Sequence, residues 1–77
     1  MSTPDPIKAI ELRINRINNV LHIDYLNEVH SDAEGYIDAL YEFKIISEET
    51  WSSFSKEARK TRDETQKKLE KKDARKR

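Results

Sequence analysis

The sequence predicts an all-α protein: a helical hairpin preceded by an amphipathic N-terminal helix, with a charged C-terminal helical extension. Three observations carry that expectation. One glycine and two prolines in 77 residues leave too little turn chemistry for a β fold. Apolar residues recur at alternating separations of three and four through Ile7, Ile10, Ile14, Ile17 and Leu21, which places them on one helical stripe. Helix-start signals recur at Asp5 and Ser47.

The first helix should begin at Pro6. Proline disfavours helical geometry at the preceding Asp5, a natural N-cap, and tolerates the first helical position. Lys8, Glu11, Arg13, Asn15, Arg16 and Asn18 mostly fill the faces left by the isoleucines. The pattern slips near Asp24, and a second stripe follows through Leu26, Val29, Ala33, Ile37 and Leu40, flanked by Tyr36, Tyr41 and Phe43. Two readings compete at residues 30–35. Ser31 with Glu34 matches a capping box, which would start a fresh helix. The unbroken stripe favours one continuous helix, kinked or frayed near Ser31. Whether residues 6–44 form one helix or two stays open at this level.

The next break is clearer. Lys44-Ile45-Ile46 interrupts the pattern, and Ser47-Glu48-Glu49-Thr50 supplies a cap followed by acids in the first turn. Trp51, Phe54 and Ala58 then mark an apolar stripe on a third helix. A short connection makes the two helices antiparallel neighbours, so Trp51 and Phe54 should fold back onto Ile37, Leu40 and Tyr41.

Charge divides the chain in two. Residues 1–55 hold four basic and ten acidic side chains, an acidic helical body of −6. Residues 56–77 hold eleven basic and five acidic ones, a basic tail of +6. Beyond Phe54 the large apolar residues dwindle to Leu69, so the tail is expected as a helical rod, frayed from Lys71 to Arg77, that is either solvated or paired by charge with the acidic body of its own chain or of a symmetric copy. Its acid-to-base pairs four apart, Asp63 with Lys67 and Glu64 with Lys68, each contribute about 0.2–0.5 kcal/mol to a helix.

A core of this size seldom supplies more than about 3–5 kcal/mol. No cysteine is present, which removes disulfides, thiolate metal sites and thiol nucleophiles, and fits a reducing compartment. Self-association is the expected extra stabiliser, so a homo-oligomer is anticipated. Met1 to Pro6 lacks the basic and apolar regions of a secretory signal. No apolar run approaches the roughly 18 residues of a membrane span. A cytoplasmic location is the expectation.

The run Gly35-Tyr36-Ile37-Asp38-Ala39-Leu40-Tyr41, then Ile45-Ile46-Ser47-Glu48-Glu49 and Trp51, resembles a helical hairpin of small proteins from bacteriophages and other mobile elements. The resemblance covers residues 35–54. It implies Gly35 and Ala39 as close-approach positions, and Leu40, Trp51 and Phe54 as hairpin anchors. The chain departs from that pattern at Lys44, where such hairpins commonly end the first helix on glycine. No common activity comes with the resemblance.

Catalytic chemistry finds little support. His22 and His30 stand eight apart, about 80° from sharing a helical face. Neither falls in a spacing that gives a zinc ligand pair. Ser47, Ser52, Ser53 and Ser55 lie where hydroxyls cap helices, and one glycine cannot build a nucleophile elbow or phosphate loop. No catalytic residue, metal site or cofactor is expected.

Binding is the better-supported class. Ile7, Ile10, Ile14 and Ile17 form a candidate apolar docking stripe for a protein partner, with an intramolecular core role about equally supported. The acids Asp24, Glu28, Asp32, Glu34, Asp38, Glu42, Glu48 and Glu49 form either an ordinary solvated face or a dock for a basic surface. Lys67, Lys68, Lys71, Lys72, Arg75, Lys76 and Arg77 could contact nucleic-acid phosphates or other anions. With no aromatic residue in the tail, such contacts would be to the backbone and largely non-specific. The expected function is a small non-enzymatic protein–protein interaction factor, accessory or regulatory and phage-encoded, that binds and modulates a host or viral protein. A nucleic-acid-binding accessory protein is the alternative.

Overall fold

The computed structural model describes residues 5–75, with side chains described as far as Lys71. Three α-helices follow in order: α1 (Pro6–Asn18), α2 (Ile23–Glu42) and α3 (Glu48–Arg75). The all-α class is as the sequence predicts. Each helix packs on both others. Trp51 meets Asp38 and Arg62 meets Asn27, so α3 runs against α2, while Glu11 shares a groove with Glu57 and Asn18 meets Lys68, so α1 and α3 run the same way.

Helix α1 starts where its chemistry places it. The Asp5 carboxylate accepts the Ile7 backbone N–H at 2.9 Å, and Pro6 occupies the first turn. The helix stops at Asn19, whose side-chain amide donates to the Asn15 carbonyl at 2.9 Å. Ile10, Ile14 and Ile17 are buried, and Ile7 packs half-buried against the same core. The stripe offered as a docking surface is therefore interior. An isoleucine so enclosed contributes about 1.5–3 kcal/mol, which exposure to a partner would forfeit.

The pattern slip near Asp24 corresponds to a break in the helix at residues 19–22. Residues 6–44 thus form two helices. No interruption occurs at Ser31: α2 runs through it, and Ser31 is exposed. Packing of Leu26, Ala33, Ile37 and Leu40 overrides a local capping signal, as tertiary contacts commonly do. Gly35 corrects a second expectation. It is exposed, and a Cβ built there would meet no atom within 4 Å, so it is not a close-approach position.

The larger correction concerns the tail. Helix α3 crosses residue 56 without interruption, and Ala58, Thr65 and Leu69 are buried. Arg62 donates to Asn27 on α2 at 3.3 Å, and Lys68 donates to Asn18 on α1 at 3.2 Å. The basic segment is the third wall of the bundle rather than a solvated rod. It supplies few apolar residues: Ala58 joins the isoleucine core of α1 and α2, and Leu69 is buried farther along.

Candidate interaction surfaces

The α2–α3 turn is built by a left-handed cap. Lys44 takes φ 61°. The Ile45 N–H donates to the Leu40 carbonyl at 2.8 Å, and the Lys44 N–H to the Tyr41 carbonyl at 3.0 Å. These paired bonds satisfy the last carbonyls of α2, with lysine where glycine would be unstrained. On the other side Ser47 caps α3: its hydroxyl accepts the Thr50 N–H at 3.2 Å and donates to Thr50 Oγ1 at 3.0 Å.

This geometry sorts the apolar residues. Ile46 turns into the core, whereas Phe43 and Ile45 are 75% and 56% exposed, beside a partly exposed Tyr41. Tyr41 stacks on Trp51 with ring centroids 4.8 Å apart and 20° between planes. Trp51 Nε1 donates to Asp38 Oδ1 at 2.8 Å. Trp51, Phe54 and Ala39 are half-buried and Leu40 is buried, and Trp51 and Phe54 pack against the core cluster that holds Leu40.

At the opposite end the α1–α2 turn exposes Leu21 at 72% and Tyr25 at 57%, with Ile23 less so. The His22 ring meets Tyr25 edge-on at 6.1 Å. His22 occupies the N-cap position of α2 with no side-chain capping bond.

Two charged faces run between these ends. Asp24, Glu28, Asp38 and Glu42 are exposed on the side of α2 opposite its buried residues. Lys56, Lys60, Lys67 and Lys71 hold the corresponding side of α3. Lys67 and Lys71 are thus exposed as an anion contact would need, and Lys68 is exposed but bonded to Asn18. Lys72 and Arg75 fall in α3 beyond the described side chains, and Lys76 and Arg77 lie outside the described residues.

Between α1 and α3 lies an open groove of about 600 Å³ floored by Ile14, with Glu11, Asn15, Glu64 and Lys67 in its walls. Among the described residues no group of three or more His, Cys, Asp or Glu side chains could hold a metal ion. No helix among them is long and apolar enough to cross a membrane.

A half-buried cluster joins α2 to α3. His30 Nε2 lies 3.0 Å from Glu34 Oε1, yet without hydrogen-bond alignment, so the nitrogen has no true partner. Burial lowers the His30 pKa, opposed by Glu34 and reinforced by Arg62 and Arg59. On the α1 side, Arg13 lies over the Tyr36 ring, 3.9 Å from its centroid, with Nε 3.4 Å from Asp32 Oδ2.

The exposed apolar residues at both turns, and Thr65 in the core, are what the sequence reading missed. The signal for Thr65 was present. Trp51, Phe54, Ala58, Thr65 and Leu69 hold one helical stripe, but threonine counts as polar although its γ-methyl suits a core position. No protein-family model, curated protein or solved structure matches the chain.

Proposed function

We propose that this chain is a small protein–protein interaction factor, non-enzymatic and accessory or regulatory in role, that works by docking to a protein partner. One observation carries the reading. Tyr41, Phe43 and Ile45 are exposed together on a turn whose backbone is held by caps on both sides. Grouped apolar exposure rimmed by charge is the usual mark of an interaction site, whereas a lone residue such as exposed Leu12 carries no such meaning. A rigid turn also presents these side chains with little ordering cost on binding.

The test is comparative capture from the native cell. Wild type, Phe43→Ser/Ile45→Ser and a Leu12→Ser control are immobilised in parallel. Proteins held by wild type and the control but lost from the double variant support the reading. Identical recovery on all three would reject it.

The lysine face of α3 supports a second reading, phosphate-backbone contact through Lys56, Lys60, Lys67 and Lys71. It predicts binding of duplex DNA or RNA at low salt that Lys60→Glu/Lys67→Glu abolishes. Absence of binding at low salt, or binding indifferent to those changes, rejects it.

A further inference from the structure

We infer that the two ends of the bundle are complementary and join copies of this chain head to tail. The inference rests on the docking role of the α2–α3 turn and names a second copy as its occupant.

The argument starts from position. The two turns lie at opposite ends of α2, whose 20 residues separate them by about 30 Å. Each exposes an apolar group: Tyr41, Phe43 and Ile45 at one end, Leu21, Ile23 and Tyr25 at the other. A contact between unlike ends would cover both.

Charge selects the pairing. Across the last turn of α2, the connection and the first turn of α3, Glu42, Glu48 and Glu49 stand against Lys44, a net −2. Across the last turn of α1, the first turn of α2 and residues 67–71, Arg16, Lys67, Lys68 and Lys71 stand against Asp24 and Glu70, a net +2. Like ends repel and unlike ends attract, so a two-fold contact through either end is disfavoured.

The length of α3 adds a seat. Lys68 is bonded to Asn18, the last residue of α1, and α3 continues to Arg75. Beyond buried Leu69, the last six residues of α3 extend about 9 Å along the helix axis. This end of α3 lies at the pole of the bundle that carries the α1–α2 turn, with Lys71 exposed on it, and Glu48 and Glu49 of an incoming copy are the charges it would meet. The ends lie at opposite poles of a molecule 48 Å long and 28 Å wide, so each added copy leaves one free end of each kind and the contact can repeat into an open chain.

Sedimentation velocity over a concentration series at low salt tests this. The wild-type average mass should climb past that of a dimer without a plateau, and the association should weaken as salt screens the charges. Phe43→Ser and Leu21→Ser alter exposed positions, and circular dichroism confirms that each remains folded. Each alone should weaken association by roughly tenfold or more. An equimolar mixture of the two should recover association but stop at a dimer, since one variant keeps an intact acidic end and the other an intact basic end. A dimer that persists in either variant alone would overturn the unlike pairing, and a mixture with no recovery would do the same. Wild type that stays monomeric throughout would also overturn it. Phe43-dependent capture of another protein would still uphold the broader interaction function in that case, and its loss as well would remove both.

Discussion

Trp51 Nε1 donates to Asp38 Oδ1 at 2.8 Å, tying the first turn of α3 to the last third of α2 while the indole stacks on Tyr41. The bond is charge-assisted and partly solvated, so its net value is about 0.5–1.5 kcal/mol. A double-mutant cycle with Asp38→Ala and Trp51→Phe, read by urea unfolding, should return a coupling of that size. Asp38→Asn keeps an acceptor and should cost less than Asp38→Ala. Additive single effects would show that the pair contributes nothing to hairpin stability.

The single glycine and the left-handed position are mismatched. Gly35 sits in the interior of α2 with space around it, and Lys44 holds φ 61° at the end of the same helix. Gly35→Ala should stabilise the fold by about 0.5–1 kcal/mol through unfolded-chain entropy and helix propensity. Lys44→Gly should stabilise by about 1 kcal/mol, because a Cβ in left-handed geometry costs about 1–2 kcal/mol and glycine returns part of that as entropy. Thermal midpoints that rise for both, and further for the pair, check the argument.

Thr65 is 1% exposed, and its hydroxyl finds no hydrogen-bond partner. Valine keeps the shape and removes the orphaned group. Thr65→Val should therefore raise stability by about 1 kcal/mol, whereas Thr65→Ala, which empties the same space, should lower it. A stability loss in the valine variant would mean that the hydroxyl is satisfied in solution.

His30 gives a pH dependence with a definite sign. Its folded pKa is lowered from 6.5, first by burial and then by Arg62 and Arg59, against the opposing pull of Glu34 and Asp63. Between the lowered folded value and the unfolded one, the unfolded chain binds more protons, so stability rises with pH in that window. Cooling of stability should thus set in as pH falls through 6.5 and level off below the folded pKa. His30→Gln should flatten that part of a plot of unfolding free energy against pH. An unchanged slope in the variant would assign the dependence to other groups.

The candidate surfaces were only half legible in the sequence. Ile45 and Ile46 are chemically equivalent neighbours, yet the left-handed cap at Lys44 sends Ile46 inward and leaves Ile45 outside. No pattern distinguishes them before the turn is known. Ile10, Ile14 and Ile17 present the reverse case. Their spacing marks an apolar stripe, but a stripe docks equally well inside or between molecules, and here α2 and α3 cover it.

The amino-acid order alone determined the all-α class, the Asp5 and Ser47 caps and the short hinge between α2 and α3, because these depend on neighbours within a few residues. Tertiary structure decided that the basic segment joins the core and that α2 passes Ser31 unbroken. Both outcomes arise from apolar surface buried between helices distant in sequence. A few side chains such as Trp51, Phe54 and Ala58 suffice to dock a charged helix once Ile10, Ile17, Leu26 and Ile37 stand ready to meet it.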